Sequence, residues 1–298
     1  MTLATTYPEA GKIFLEVPEL GGALGAAIAV DRVLLDIESK FQKIQIVEAG
    51  QLGRMLILDQ VVQTSEFDEA AYHEMIAHLP LLTHPNPERV LVIGGGDGGT
   101  LREVGKHAGL KKIEICEIDE AVIKASRDFL PGLARGFDDP RVEVHVADGA
   151  RFVADHPNTY DVIMVDSSDP VGPAVVLFQS QFFEDLKKAL RPGGIIVTQA
   201  ESFYLYGPLI RKMFDFLKDM FERPLYYLTK VPTYPSGLIG FTFCSLGPDP
   251  FQPPDPARVA ALGPLRYYTP AVGRAAFVVP GFCLDLLPEH VARAQSSW

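Results

Sequence analysis

Apolar and polar residues alternate in short runs from Phe41 onward. Residues 43–47 (Lys-Ile-Gln-Ile-Val) and 54–59 (Arg-Met-Leu-Ile-Leu-Asp) flank a turn marked by Gly50 and Gly53. Period-two apolar positions on both sides of a glycine turn predict a β-hairpin. Asp68 then opens a helical pattern that places Tyr72, Ile76 and Leu79 on one face, with the aspartate as the expected N-cap. Pro80, Pro85 and Pro87 are expected to end that helix, because proline lacks the amide proton the helix ladder needs. Residues 1–30 show no firm periodicity and read as irregular; Gly21-Gly22-Ala-Leu-Gly25 is too small-sided to assign.

Beyond the prolines the pattern changes to apolar runs alternating with amphipathic ones. Strands are predicted at 89–93, 112–116, 142–146, 160–166 and 195–199. Helices are predicted from the glycine loop through Leu101, over 120–129, near Ala150 and over 182–190. Buried strands alternating with helices specify a parallel sheet covered on both faces. An antiparallel pair at 225–230 and 238–245 closes the pattern. The expected division is a β-strand unit over 1–66, its first 35 residues unassigned, and an α/β unit over 67–298.

At 298 residues and 47% apolar, the chain can bury a full core. A formal charge of −11 argues against a nucleic-acid partner, whose backbone demands a basic face, and is compatible with a cationic ligand. No apolar run is long enough to span a membrane, and the first residues lack the basic and apolar regions of a secretory signal. Cys116, Cys244 and Cys283 are scattered and odd in number, so a reducing cytoplasm is expected rather than a disulfide framework.

The candidate chemistry lies at predicted strand ends. In an open parallel sheet, ligands bind at the carboxyl edge of the strands. The first such end is Gly94-Gly95-Gly96-Asp97-Gly98-Gly99, a G-x-G-x-x-G loop between a strand and a helix. Asp97 within it would repel a pyrophosphate by about 4 kcal/mol at 4 Å and an effective dielectric near 20, which counts against phosphate ligands. Glu117 ends the second strand, where an acid commonly accepts bonds from ribose hydroxyls. Asp148-Gly149 ends the third, placed to accept a bond from an adenine amino group, and Asp166-Ser-Ser-Asp169-Pro170 ends the fourth. Each acid taken singly is an ordinary loop residue. Together they describe an adenosine-bearing ligand without phosphates and with positive charge, the character of a sulfonium nucleoside. His73 and His78 stand five apart on the helix, not at the spacing of four that lets two histidines share a metal, so no metal is expected. Glu201 at the fifth strand end either adds negative charge to the site or sits in a solvated loop.

Val92-Ile-Gly-Gly-Gly-Asp-Gly-Gly99, Glu117-Ile-Asp119, Asp148-Gly149, Asp166-Ser-Ser-Asp-Pro-Val-Gly-Pro173, Thr233-Tyr-Pro-Ser-Gly237 and Arg266-Tyr-Tyr-Thr-Pro270 occur in that order. This combination resembles the spermidine synthases (putrescine aminopropyltransferases). The resemblance implies a Rossmann-like, methyltransferase-type α/β fold behind a small N-terminal β-domain, and a homodimer or homotetramer. It implies transfer of the aminopropyl group of decarboxylated S-adenosylmethionine to putrescine, giving spermidine and methylthioadenosine. The sulfonium donor is then a co-substrate, and no cofactor is expected. By the same resemblance Gln42, His73, Asp97, Glu117, Asp148, Gly149 and Pro173 contact the donor or its nucleoside product. Tyr72, Asp169 and Tyr234 hold the diamine, with Tyr72 at the far end of the channel; Gln63 is a further substrate contact. Asp166 accepts the proton, its basicity raised by Asp169. Gly273 departs from the family pattern, which has histidine before Arg274.

Three other readings compete. A methyltransferase would share the fold and the ribose acid, but Asp97 would face the carboxylate of S-adenosylmethionine. A non-catalytic polyamine-binding homologue would be expected to lose Asp166. A dinucleotide dehydrogenase is disfavoured by Asp97. The preferred amine is left open among putrescine, cadaverine, agmatine and spermidine, since one methylene changes binding by only ~1–3 kcal/mol in an apolar slot.

Overall fold

The structure, a computed structural model, describes residues 12–17, 24–170 and 172–296. Strands β1 (Lys12–Glu16) and β2 (Ala26–Val30) form an antiparallel hairpin. Four more, β3 (Arg32–Glu38), β4 (Lys43–Glu48), β5 (Arg54–Leu58) and β6 (Val61–Ser65), form an antiparallel sheet in chain order. The expectation of an irregular start is thus corrected at β1 and β2; Gly21 and Gly22 lie outside the described residues. The reason is an inverted pattern. In β1 the apolar Ile13 and Leu15 point outward, 43% and 64% exposed, while Glu16 is buried.

Helix α1 (Glu69–Thr83) runs through Pro80 and stops at His84 before Pro85. Proline inside a helix costs about 3 kcal/mol. Here every residue from Glu69 to Leu82 is buried, and that burial offsets the lost hydrogen bond. Asp68 precedes α1 but makes no side-chain cap. Its carboxylate accepts from Ser65 Oγ at 2.7 Å and from Thr233 N at 2.8 Å. It therefore ties the helix start to the Thr233–Gly237 segment.

The remaining elements alternate as expected: β7 (Arg89–Gly94), α2 (Gly99–Gly105), β8 (Lys112–Glu117), α3 (Glu120–Phe129), α4 (Pro131–Ala134), β9 (Val142–Val146), α5 (Gly149–Ala154) and β10 (Tyr160–Asp166). After them come α6 (Ser180–Ala189), β11 (Leu190–Gln199), α7 (Phe203–Met220), β12 (Leu225–Lys230) and β13 (Leu238–Ser245). The strand expected at 195–199 begins earlier, at Leu190, and α7 was not expected. Seven strands form one sheet in the order β12-β13-β11-β10-β7-β8-β9, parallel except for β13. Apolar clusters lie on both faces, one packed under α1 and the other under α6 and α7. The fold is a Rossmann-like α/β domain preceded by a small β-sheet.

The chain winds from β7 to β8 and β9 on one side and returns to β10 and β11 on the other. Such a reversal opens a crevice at the strand carboxyl ends. The register pairs Gly94 with Asp166 and Glu117 with Val146, so the glycine loop and the two acids open into the same crevice.

Candidate active site

A cavity of about 550 Å³ occupies that crevice, closed on one side by the N-terminal strands. It is lined by every site residue expected from the sequence except Pro173. Pro173 lies in the 3-10 segment Gly172–Phe178, and its side chain is outside the described residues.

One end is built on the glycine loop. Gly94 and Gly95 have φ of +79° and +70°, a region that glycine enters without steric cost. A Cβ at Gly94 would lie 2.2 Å from the Asp166 carbonyl, and one at Gly99 would lie 2.2 Å from the His73 ring. The glycines therefore let α1 and β10 close onto the loop. Asp97 Oδ1 accepts from Gly99 N at 2.6 Å and lies 3.4 Å from His73 Nε2. His73 Nδ1 is 2.8 Å from Glu69 Oε2. Burial alone would strip the proton from His73, but Asp97 and Glu69 outweigh it and raise the ring to about 10. Burial alone would raise the Asp97 carboxyl, and the imidazolium holds it below the usual range instead.

Glu117, at the end of β8, accepts from Asp119 N at 2.9 Å, and burial pushes it up to about 7. Asp148 caps α5 through Oδ1, accepting from Ala150 N at 2.9 Å. Gly149 packs so closely on β7 that a Cβ would lie 2.4 Å from Ile93 Cγ2. Gln42 donates to Asp119 Oδ2 at 3.1 Å, joining the N-terminal sheet to α3 beside the cavity.

The other end differs from expectation. Asp166 accepts from Thr100 Oγ1 at 2.6 Å, and the Tyr72 hydroxyl is near enough to act on its carboxyl, so Tyr72 stands beside Asp166 and not at the far end. Burial, then Asp97, raises the Asp166 carboxyl. The acid that lifts Asp166 is therefore Asp97, where Asp169 was expected. Asp169 belongs to a second group: Tyr206 Oη donates to it at 3.0 Å, and it raises Glu201 and Glu16. Glu201 is buried with only 2% exposed, not solvated. Burial raises Glu16 to about 8, while its Oε2 accepts from Val62 N at 3.3 Å. Tyr234 donates to the Gln63 carbonyl at 2.7 Å, so these two residues form one wall.

Glu16, Gln199, Tyr206 and Thr100 were missed by sequence reasoning. No sequence signal marked them: Glu16 ends the run Lys12-Ile-Phe-Leu-Glu16, which has no period-two pattern, and the other three reach the site only through the tertiary fold. Among the described residues, the one group at metal-ligand spacing is Glu114, Glu143 and His145. It lies on β8 and β9 outside the cavity lining, with both glutamates already paired to Lys112. His73 and His78 do not converge: His78 lies between Glu103 and His107 at 3.0 Å from each.

Comparison with known proteins accords with this geometry. The model of the spermine/spermidine synthase domain matches residues 69–250, and that of the spermidine synthase tetramerisation domain matches 19–66. The chain belongs to the spermine/spermidine synthase family. A polyamine aminopropyltransferase of Leptospira biflexa is 50% identical over 270 residues, 90% of this chain and 95% of the relative. Spermidine synthase 2 of Datura stramonium is 44% identical over 90% of this chain and 88% of its own. A crystal structure of spermidine synthase in complex with the transition-state analogue AdoDATO superposes with a TM-score of 0.90 at 38% identity, covering 94% of this chain and 96% of that one. This member of the family is an enzyme. At Gly273, where the resemblance led to an expected histidine, a Cβ would lie 2.7 Å from the Tyr268 ring, so Tyr268 packs against the bare glycine backbone.

Proposed function

We propose that the enzyme transfers the aminopropyl group of decarboxylated S-adenosylmethionine to putrescine, releasing spermidine and methylthioadenosine. The observation that carries this reading is the distribution of acids along one cavity. Asp97, Asp166, Asp169, Glu201 and Glu16 all line it, Asp97 acting on Asp166 and Asp169 on both Glu201 and Glu16. The two substrates carry a sulfonium and three ammonium groups between them. Glu117 and Asp148 serve the ribose and adenine of the donor, with Gln42, Gly149 and Pro173 around them. Tyr72, Gln63 and Tyr234 flank the diamine, and Asp169, Glu201 and Glu16 receive its distal ammonium.

In the reaction the amine nitrogen forms a bond to the aminopropyl carbon as that carbon's bond to sulfur breaks. The electron pair goes to sulfur, which leaves as a neutral thioether and needs no acid. The nucleophile sets the difficulty: an alkyl amine with a pKa near 10 is neutral about once in a thousand at pH 7, a cost of roughly 4 kcal/mol. Asp166 accepts its proton. Burial and Asp97 make that carboxylate more basic than an ordinary aspartate, and the neighbouring sulfonium makes the ammonium more acidic. Thr100 and Tyr72 hold the carboxylate in place.

The reaction as written calls for no cofactor. The match of residues 19–66 to a tetramerisation domain supports assembly into a homo-oligomer through the N-terminal sheet, which we assign to a unit over 1–66 ahead of the catalytic unit. No helix among the described residues is long and apolar enough to cross a membrane; the three buried, free cysteines support a reducing, cytoplasmic setting, and the formal charge of −11 counts against a nucleic-acid partner. The test is an assay of decarboxylated S-adenosylmethionine with putrescine, cadaverine, agmatine and spermidine, read by product mass. Spermidine from putrescine is the expected main product.

A further inference from the structure

The proposed mechanism leaves a buried, charged chain behind the donor end without a task. Glu69 is 4% exposed, and three cationic groups converge on it. His73 Nδ1 lies 2.8 Å from its Oε2, Arg102 Nη2 lies 2.6 Å from the same oxygen, and Arg266 Nη1 lies 3.2 Å from Oε1. Arg266 opens the Arg-Tyr-Tyr-Thr-Pro motif. That motif is itself fastened to α1 by Glu74, which accepts from the backbone amides of Arg266, Tyr267 and Tyr268 at 2.7 to 2.8 Å. The second His73 nitrogen lies 3.4 Å from Asp97 Oδ1, and the ring rests over Gly99.

We propose that Glu69 is a positioning residue for the donor: acting through His73, it keeps the ring doubly protonated and aimed at Asp97, which is thereby fixed to receive the donor's ammonium. Two carboxylates on opposite nitrogens leave the ring no acceptor role, since each nitrogen must donate. Arg102 from α2 and Arg266 from the C-terminal segment hold Glu69 from the other side. The remaining groups facing the ring are Tyr72, whose ring stands edge-on at 5.5 Å, and Asp166 from β10, which the ring's charge stabilises as the anion. With Oδ1 of Asp97 accepting from Gly99 N and facing the His73 ring at 3.4 Å, its second oxygen is left to the ligand. The inference rests on the reading of Asp97 as the partner of the donor's ammonium, but the protonation state of the ring can be measured without substrate.

The first experiment is a nitrogen-15 NMR titration of the histidine rings in the unliganded full chain from about pH 6 to 9, around the ordinary histidine pKa. The His73 signals are assigned by their loss in His73→Gln. In the unmodified protein the ring should stay doubly protonated throughout. In Glu69→Gln, which keeps size but removes charge, it should titrate within that range. The variant's KM for decarboxylated S-adenosylmethionine should then rise about 10-fold on the alkaline side and much less on the acid side, with turnover at saturation changed less than about threefold. Glu69→Asp, which restores the charge, should recover part of the ring's proton affinity. A neutral His73 ring in the unmodified protein near pH 8 would overturn the proposal. So would a KM increase of equal size at every pH, which would reduce Glu69 to a tie between Arg102 and Arg266. A chain that transfers no aminopropyl group but shows the expected titration would instead overturn the proposed reaction.

Discussion

The two ends of the cavity are built in opposite ways. At the nucleoside end Asp97, Glu117 and Asp148 sit at the carboxyl ends of three adjacent parallel strands, β7, β8 and β9. Their backbones are fixed by sheet register, and each carboxylate is further fixed by a bond to a nearby backbone amide. At the amine end Glu16 comes from the N-terminal hairpin, Asp169 from the loop after β10, Glu201 from the end of β11 and Tyr206 from α7. Only tertiary packing brings these together, and they lie in a group of mutually repelling acids raised by burial. The first end is preorganised by secondary structure; on the proposed reading, the second is completed by the cation that binds there. Binding free energy at the second end is therefore partly relief of repulsion, which should make it sensitive to pH and to ligand charge.

The sharpest break of this comparison falls at Asp166, where the two ends meet. Asp166→Asn should lower turnover at least about 100-fold while leaving nucleoside binding intact, since removal of a general base typically costs that much. Steady-state kinetics with a parallel calorimetric titration of methylthioadenosine check it, and raising the pH should restore part of the rate by supplying neutral amine.

A smaller effect is expected at Asp97. Asp97→Asn should weaken the decarboxylated donor and narrow its advantage over S-adenosylmethionine. The change should stay below the ~4 kcal/mol Coulomb estimate, because the imidazolium of His73 already offsets part of the charge. Calorimetry with both ligands on both proteins measures it.

Next come the amine contacts. Putrescine should exceed butylamine in kcat/KM by at least about 10-fold, because a monoamine leaves buried polar partners unpaired at about 1–3 kcal/mol each. Tyr234→Phe should lower kcat/KM for putrescine and leave methylthioadenosine affinity nearly unchanged.

The smallest effect is on stability. The folded chain holds the Glu16 proton up to about pH 8, against an ordinary value of 4.5. The unfolded chain binds fewer protons across that window, so stability falls as pH rises through it. Glu16→Gln should flatten this decline in melting temperature, and saturating putrescine should counteract it in the unmodified protein.

The same contrast governs what could be read before the structure. Strands β7, β10 and β11 were legible because burial on both faces writes apolar runs, and β8 (Lys-Ile-Glu-Ile-Cys-Glu) and the largely exposed β9 (Val-Glu-Val-His-Val) because apolar and polar residues alternate along them; the acids stand where each pattern stops. Strand β1 was not legible, because Ile13 and Leu15 face outward and Glu16 inward, the reverse of a core-facing strand. The helix past Pro80 was missed because burial overrode a local breaker. Tyr72 was placed at the wrong end of the amine channel for a similar reason: a helix face can be read from spacing, but which strand end it crosses cannot. Asp169 was expected to raise Asp166 as a neighbouring like charge, yet the turn after β10 sends the two carboxylates to different partners.

The central claim is that one cavity joins a decarboxylated sulfonium donor to a diamine. It is tested most directly by incubating the purified chain with putrescine and either decarboxylated S-adenosylmethionine or S-adenosylmethionine, and resolving all products by mass. The account predicts spermidine and methylthioadenosine in equal amounts from the first donor and no product from the second. Methylated putrescine from S-adenosylmethionine, or no spermidine from the decarboxylated donor, would contradict it.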